Sequence, residues 1–325
     1  MGSSRLDIHQ HITDQIVAMI ENSRGAFTLP WHVPASSMRP TNVATQKPYR
    51  GINILALWAS AELAGYGSGL WGTYKQWTDA GAQVRRGEKA SFVVFYKEAN
   101  PRTDREPEDK TSTDGPRHAT QRWIARASAV FAAEQVEGFE IPAAPASPLQ
   151  PSIRAEAFVA ATGATIAHGG HRAFYRPATD TIHLPHLEAF VGSKTSTATE
   201  AYYSTLLHEL THWTGQESRC NRSLGRRFSK DAYAIEELIA ELGAAFLCAE
   251  LGVTGSPRAD HGQYIAEWLS VLNSDKKAIF TAASQASLAV EFLRGLQPAE
   301  TAVDDDSAGR PETAKARALL EATAC

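Results

Sequence analysis

Residues 207–213 read Leu-His-Glu-Leu-Thr-His-Trp and contain the pattern H-E-x-x-H. On a helix, side chains four positions apart point the same way, so the imidazoles of His208 and His212 can bind one Zn²⁺. Glu209 then lies beside the open position of the metal, where we expect it to act as the catalytic general base. The segment 200–213 has no Pro or Gly and places its leucines at helical spacing. The stretch therefore predicts a helix that holds a zinc site.

The third metal ligand is predicted on a second helix downstream. Residues 233–248 are rich in Ala and Leu but include Glu236, Glu237 and Glu241. Carboxylates among so many apolar residues are costly to bury unless they are paired or bound to metal. Because Glu237 and Glu241 are four apart, one can bind zinc while the other orients a ligand histidine. We assign Glu237 as the ligand and Glu241 as the orienting group. The alternatives are the reverse assignment and a solvated helix face.

Composition sets the broad class of protein. The chain has 325 residues, which is room for two domains with a core each. Hydrophobic residues make up 43% and charged residues 21%, as in ordinary soluble proteins. We find no apolar run of membrane-spanning length and no leader peptide, so no membrane partner is expected. The 3 cysteines are too scattered for a disulfide framework or a thiolate zinc site, which favours a cytoplasmic location.

Positive charge is concentrated in the N-terminal half. Residues 39–97 contain eight basic and three acidic side chains, whereas the whole chain has a formal charge of −4. Cations interleaved with flat rings are typical of single-strand binding, because phosphates pair with the cations and bases stack on the rings. The alternative is that the rings form a small core and the charges an ordinary wet face. The candidate DNA-binding residues are Tyr49, Arg50, Trp71, Tyr74, Lys75, Arg85, Arg86 and Lys89.

Changes in composition predict the domain boundaries. Residues 100–120 contain almost no apolar side chains and are expected to form a mobile insertion. We predict a first domain over 1–140, a Pro-rich linker over 141–152, a second domain over 153–298 and an acidic, disordered tail over 299–325. Helices are expected near 8–20, 53–64, 74–80, 153–162, 264–272 and 276–293, and strands near 91–97, 123–131, 164–167, 173–176 and 181–184. Strands followed by packed helices predict an α+β class.

Several segments resemble one family. Residues 49–53 (Tyr-Arg-Gly-Ile-Asn), 71–76 (Trp-Gly-Thr-Tyr-Lys-Gln) and 81–89 (Gly-Ala-Gln-Val-Arg-Arg-Gly-Glu-Lys) resemble the N-terminal domain of ArdC-type antirestriction proteins. That domain is shared with TraC-type plasmid primases and is associated with single-stranded DNA binding. Residues 207–215 and 236–245 resemble the zincin-like C-terminal domain of the same family. The order of the two metal motifs also resembles gluzincin metallopeptidases.

The resemblance implies a DNA-binding protein of a mobile element that protects incoming DNA from restriction. It also implies a zinc metallopeptidase-like domain whose protein substrate stays open, as does binding to double-stranded DNA. One alternative is a DNA-dependent zinc protease that acts on DNA-bound proteins. Another is a single-strand coating protein with structural zinc, which Glu209 disfavours because a structural site needs no general base.

Three finer assignments remain open at this level. Asn53 is expected to cap the second helix or, less favourably, to contact a base. Residues 180–185 are expected to form the edge strand along which an extended substrate aligns. Candidates for the group that stabilises an oxyanion are Tyr202, Tyr203, Tyr233, His261 and Tyr264.

Overall fold

Helices and short strands are interleaved in the N-terminal half. The computed structural model describes residues 7–23, 38–98, 123–142, 150–193, 196–228, 231–254 and 261–298. The first elements are α1 (Ile8–Ser23), β1 (Thr41–Asn42), α2 (Ile52–Ala64), β2 (Leu70–Gly72), α3 (Tyr74–Asp79), β3 (Gln83–Val84), β4 (Ser91–Glu98), β5 (Trp123–Ala132) and β6 (Val136–Glu137). The predicted insertion at 100–120, most of the predicted linker and the acidic tail lie outside the described residues.

Two small apolar clusters hold the N-terminal sheet together. The sheet has the order β1-β2-β5-β4, and β3 pairs with β6 separately. Trp71 of β2 packs with Leu57 of α2 and Val130 of β5. Trp77 of α3 is fully buried in the second cluster, which includes Val84. Both rings are therefore part of the domain's interior.

Asn53 covers the free edge of this sheet. Its Nδ2 donates to the carbonyl of Val94 at 2.8 Å, and its Oδ1 accepts from the Val94 amide at 2.7 Å. The expectation that Asn53 caps α2 is wrong, because Gly51 occupies the N-cap and the Asn53 amide pairs with β4. The side chain thus satisfies backbone groups that an edge strand leaves unpaired. The alternative of a contact with a base stays a prediction.

The C-terminal half places three short strands before a set of packed helices. Its elements are α4 (Pro151–Thr162), β7 (Thr165–His168), β8 (Phe174–Arg176), β9 (Thr181–Leu184), α5 (Ala198–Trp213), α6 (Gly225–Phe228), α7 (Ala232–Leu251), α8 (His261–Ser274) and α9 (Ala278–Gly295). β7 runs parallel to β9 and β8 antiparallel to it, so β9 is the central strand. The mixture of strands and helices confirms the predicted α+β class.

One apolar core joins the two halves of the chain. The ring of Trp58 on α2 packs against Phe246 on α7, with centroids 5.7 Å apart. The buried face of α1 consists of Ile8, Ile12, Ile16 and Ile20. These isoleucines belong to the same cluster as residues of α4 to α9. A separate core for each domain was expected. The N-terminal domain has clusters of its own only between α2 and its sheet, and the other side of α2 packs into the core of the C-terminal half.

Candidate metal centre

A capping box starts the helix that holds both histidines. Thr197 Oγ1 accepts from the Glu200 amide at 3.2 Å, and Glu200 Oε2 accepts from the Thr197 amide at 2.8 Å. These bonds satisfy amides that a helix start leaves unpaired. α5 then continues to Trp213, so His208 and His212 lie one turn apart on one face.

Gly243 lets α7 pass very close to α5. A Cβ at this position would lie 2.5 Å from Thr211 Cγ2 and 2.7 Å from Thr211 Oγ1. Thr211 is fully buried, so it has no open space into which to move. The close passage brings Glu237 and Glu241, one turn apart on α7, against the histidines of α5.

Three donor groups converge between the two helices. The Nε2 atoms of His208 and His212 are 3.2 Å apart, and the Glu237 carboxylate oxygens lie 3.5 Å and 3.6 Å from them. A tetrahedral ion with ligand bonds of about 2.0–2.1 Å separates neighbouring donor atoms by about 3.3 Å. The spacing of the three groups therefore matches the edges of such a tetrahedron.

Each histidine also faces a carboxylate with its second nitrogen. Glu241 Oε2 lies 3.4 Å from His208 Nδ1, and both residues are 3% exposed. This distance is longer than an ordinary N–H···O hydrogen bond, and His208 Nδ1 makes no hydrogen bond with any described residue. Glu241 is thus the nearest carboxylate that could orient this imidazole.

Glu236 plays the corresponding part at the other histidine, a role that the sequence alone did not indicate. Its Oε1 lies 3.1 Å from His212 Nδ1. The guanidinium of Arg222, whose side chain is 1% exposed, donates from Nε to Glu236 Oε2 at 2.8 Å and from Nη2 to Oε1 at 2.6 Å. Arg222 also donates to the carbonyl of Thr211, which ties the pair to α5.

The electrostatics of the centre favour positive charge between the imidazoles. Burial lowers the pKa of His212, but its contacts with Glu236 and Glu237 outweigh burial and raise that pKa to about 10. Burial likewise opposes ionisation of Glu237, yet its contacts with His208 and His212 hold the pKa of this carboxyl well below its usual range. A divalent cation bound to neutral imidazoles supplies the same positive charge, so the donor set is suited to a metal ion.

The centre opens into a cleft of about 610 Å³. Glu209, which is 3% exposed, lines the cleft beside both histidines. Tyr233 and Tyr264 line it from α7 and α8, with their hydroxyl oxygens 3.0 Å apart. Glu209 and the two phenols are therefore among the polar groups that a molecule in the cleft would meet.

The cleft separates the candidates for an oxyanion donor. Tyr233 and Tyr264 lie in it, whereas Tyr202 and Tyr203 are not among its lining residues. The hydroxyl of Tyr202 instead lies 2.8 Å from His168 Nε2, away from the centre. The side chain of His261 lies outside the described residues.

The strand that borders the cleft is β8 and not β9. The expectation of an edge strand over residues 180–185 is wrong, because β9 pairs with β7 on one side and β8 on the other. Phe174 and Tyr175 of β8 line the cleft. Sequence alone could not order these strands, since their alternation patterns do not encode which neighbour each one takes.

Arg219 fixes the turn between β8 and β9 to the end of α5. It donates to both carboxylate oxygens of Asp180, at 2.6 Å and 3.0 Å, and its guanidinium lies 3.9 Å from the centroid of the Trp213 ring. Asp180 also accepts from the hydroxyl of Tyr175 at 2.7 Å. These contacts hold β8 in place along the cleft.

Six of the eight candidate DNA-binding residues lie on the surface, including Arg85, whose side chain is 46% exposed. Tyr74 is 52% exposed, and the side chains of Lys75 and Arg50 are 83% and 65% exposed. Arg86 and Lys89 are also exposed. Lys75 pairs with Asp79 at 3.0 Å, a surface ion pair that costs little to exchange for a phosphate.

Three of the eight candidates have structural partners within the domain. Trp71 is 1% exposed, so a base cannot stack on it in this fold, and we correct its assignment from DNA contact to core. Tyr49 is half-buried and its hydroxyl accepts from Asn42 Nδ2 at 3.0 Å. Arg85 donates to Glu88 and to the carbonyls of Glu134 and Val136, so its guanidinium already has partners within the domain.

None of the helices in the described part of the chain is long and apolar enough to cross a membrane.

Comparison with known proteins identifies both halves of the chain. Residues 6–131 match the family model for the N-terminal domain of anti-restriction factor ArdC, and residues 153–285 match that for a zincin-like metallopeptidase. These matches confirm the predicted pair of domains. The boundaries at 140, 153 and 298 stay predictions.

The relatives include solved structures and longer proteins. The metal-free crystal structure of the antirestriction protein ArdC from plasmid R388 has a TM-score of 0.70 and 35% identity, and covers 90% of this chain and 98% of that one. A Mn(II)-bound crystal structure of the same protein has a TM-score of 0.68 and 37% identity, with the same coverage.

Two further relatives are known from sequence. The Sinorhizobium fredii (strain NBRC 101917 / NGR234) protein y4eC is 44% identical over 90% of this chain and 92% of its own length. A DNA primase TraC of Escherichia coli is 34% identical over 99% of this chain, which spans 32% of the primase. This chain therefore belongs to the ArdC-type antirestriction protein family.

Proposed function

We propose that this chain is a DNA-binding antirestriction protein of a mobile element, with zinc in a metallopeptidase-like C-terminal site. It would act in the cytoplasm, where incoming DNA meets restriction endonucleases. Its membership of the ArdC-type family supports the protective role. The single observation that best supports the metal-dependent part is the convergence of His208, His212 and Glu237 beside Glu209.

The ligands we assign are His208 and His212 through Nε2 and Glu237 through its carboxylate. The R388 relative is described as Mn(II)-bound, which supports a divalent ion here. Two imidazoles and one carboxylate suit zinc better than the all-oxygen sets that Mg²⁺ and Ca²⁺ prefer. Metal analysis of the protein purified without added metal should find about one Zn²⁺ per chain. A purified protein that binds no divalent ion, or His208→Ala with full occupancy, would contradict the assignment.

The cleft suits an extended peptide. A substrate could add a strand to β8, whose outer edge borders the cleft. Zinc at the centre would polarise the peptide carbonyl and a water molecule. Glu209 would take a proton from that water and pass it to the leaving nitrogen. Tyr233 or Tyr264 would donate a hydrogen bond to the oxygen that gains negative charge.

The surface for DNA would include Arg50, Tyr74, Lys75, Arg86 and Lys89. All five are exposed, and they combine cations for phosphates with a ring for a base. The basic excess of residues 39–97 supports an anionic partner. Titrations with single-stranded and double-stranded DNA of the same sequence would establish the preferred form.

A second candidate function is that of a DNA-dependent protease acting on DNA-bound proteins. The buried position of Glu209 next to the donor atoms favours it, because a purely structural metal site has no need of a general base. The same observation disfavours a coating protein with structural zinc.

Transfer of an unmodified plasmid into a restricting host tests the choice. Glu209→Gln removes the proton acceptor but leaves the three assigned ligands, so protection by DNA occupancy should survive. The double substitution Arg86→Gln, Lys89→Gln should reduce protection, whereas Glu217→Gln, at an exposed glutamate, serves as control. Complete loss of protection in Glu209→Gln, with unchanged DNA affinity, would favour the protease instead.

A further inference from the structure

A second cleft lies where the two domains meet. It has a volume of about 650 Å³ and is bordered by the start of α2 and by β4 on one side, and by α6 and α9 on the other. This volume is in the range of sites for nucleotide-sized ligands. We call it the junction cleft and define it by Arg50, Tyr96, Arg227, Lys277, Ser284 and Gln285.

Three cations surround the junction cleft. The side chain of Arg50 is 65% exposed and lies 3.3 Å from Glu291, and that of Arg227 is 44% exposed and lies 3.0 Å from Asp275. Lys277 is exposed and makes no ion pair with another described residue. Arg227 and Lys277 come from the C-terminal domain, so an anion here would contact both halves of the chain.

The wall formed by α9 combines polar side chains with the apolar Phe280 and Leu288. Thr281, Ser284 and Gln285 lie on one face of the helix, at positions three and four residues apart. The Thr281 hydroxyl already donates to the carbonyl of Lys277 at 3.2 Å and accepts from Arg227. The Ser284 hydroxyl and the Gln285 amide are the groups of this face that can donate to phosphate oxygens and bases. A ligand with polar groups is favoured, because Ser284 and Gln285 would otherwise lose water without replacement.

An exposed ring stands on the opposite wall. Tyr96 of β4 is 53% exposed, and its hydroxyl lies 3.3 Å from His9 Nε2. His9 in turn packs against Phe280 of α9, with ring centroids 4.7 Å apart. The Tyr96 ring is thereby supported at its hydroxyl end while much of its surface stays open to a stacking partner.

We propose that the junction cleft binds a short segment of single-stranded DNA, with phosphates at Arg50, Arg227 and Lys277 and a base on Tyr96. This inference rests on the proposed DNA-binding function and adds a contact surface from the C-terminal domain. A phosphate at Arg50 replaces Glu291, which keeps its second cationic partner, Arg294. The strand then spans both domains.

Binding of a labelled oligo-dT to the full chain tests the inference, with neighbouring lysines as a matched pair. Lys277→Gln should weaken binding about tenfold at about 50 mM salt, and the salt slope should become shallower by about 0.7, the loss of one phosphate contact. Lys276→Gln makes the same charge change but should have no effect, because Lys276 pairs with Asp7 and does not line the cleft.

Tyr96 supplies an independent readout. Tyr96→Ala should weaken binding about tenfold at every salt concentration. Tyr96→Phe keeps the ring and loses only the contact with His9, so it should retain most of the affinity. Wild-type affinity in both Lys277→Gln and Tyr96→Ala would overturn the junction cleft while leaving the proposed function intact. Equal losses in Lys276→Gln and Lys277→Gln would also overturn it, since the effect would then be general charge. Absence of binding by the wild type would overturn the proposed function itself.

Discussion

Each imidazole of the metal centre lies between two carboxylates. His208 lies between Glu237 and Glu241, and His212 between Glu237 and Glu236. A carboxylate behind a ligand histidine fixes the ring orientation and makes the nitrogen facing the metal a better donor. The centre therefore depends on residues beyond the three that would touch the ion.

Glu236→Gln and Glu241→Gln should each weaken metal binding roughly 10–100-fold. In both variants the amide replaces a charged acceptor behind a histidine, while the three assigned ligands are unchanged. Competition with a chromogenic chelator would measure the affinity. Glu217→Gln is the control, because Glu217 is exposed and absent from the lining of the metal cleft. An affinity for Glu236→Gln equal to that of wild type would show that the Arg222–Glu236 pair does not act on the metal.

The two rings Trp71 and Tyr74 should respond in opposite ways to truncation. Trp71→Ala removes a fully buried ring and should cost roughly 3–5 kcal/mol of unfolding free energy. Tyr74→Ala should leave stability nearly unchanged and weaken single-strand binding by about 1–3 kcal/mol at all salt concentrations. Urea unfolding and oligonucleotide titration would separate the two effects, with Tyr74→Phe as the ring-keeping control. A stable Trp71→Ala variant with impaired DNA binding would restore the stacking role for Trp71.

These two rings also mark the limit of residue-level prediction from sequence. Both belong to the segment 71–76, and aromatic residues near cations predict stacking equally for either. Burial of Trp71 follows from the position of β2 between β1 and β5, a pairing that its three residues do not encode. The metal residues were easier to find, because helical periodicity fixes their relative directions within the sequence itself.

At the level of elements, the crossing of α5 and α7 sets the geometry of the centre. Thr211 lies between the two histidines in sequence, and it meets Gly243 of the facing helix. The Oγ1 of Thr211 is bonded to the carbonyl of Leu207, so its rotamer is fixed. The distance between the helices is therefore determined by the absence of a side chain at one position.

Gly243→Ala should push the two helices apart and loosen the metal centre. Overpacking of this kind costs about 1–3 kcal/mol, and the added methyl would lie 2.5 Å from Thr211 Cγ2. The temperature of thermal unfolding and the metal affinity should both fall. Thr211→Ala in the same chain should recover part of each loss. Gly295→Ala is the control, because nothing lies within 4 Å of a Cβ there. An unfolding temperature of Gly243→Ala equal to that of wild type would show that α5 and α7 can move apart without loss of stability.

The helices and strands themselves were largely predictable from the sequence, whereas the pairing of the strands was not. The leucine spacing around His208 and the absence of Pro and Gly over residues 200–213 located α5, because both signals are local. The edge position of β8 was missed, since Ile182 and Leu184 of β9 alternate like any half-buried strand and do not indicate pairing on both sides.

At the scale of the whole molecule, α1 and α2 connect the domains. α2 has apolar side chains on two faces, because it lies between the N-terminal sheet and the C-terminal core. The Pro-rich composition at 141–152 predicted two independent domains. The composition of a linker, however, does not indicate whether the surfaces of the domains that it joins pack against each other. The isoleucine stripe of α1 was the signal that a partner was needed.

The shared core predicts one cooperative unfolding transition for the full chain. A fragment ending at residue 142 would leave Ile12, Ile16 and Trp58 without their partners on the C-terminal helices, although each is at most 2% exposed in the full chain. We expect that fragment to bind a hydrophobic dye and to lack a sharp thermal transition. Calorimetry of the full chain and of the fragment would measure both. Two separate transitions in the full chain would show that the domains are energetically independent.

The same core limits which recombinants between the genes of two relatives give a stable protein. A crossover between two relatives within residues 141–152 keeps each domain whole and looks harmless on the sequence. The hybrid nevertheless combines the α1 isoleucines and Trp58 of one parent with α7 and α9 of the other. Core side chains from two different parents must then pack together in one close-packed interior. Such hybrids are expected to be less stable than either parent, and the two halves are therefore inherited most safely as a single block.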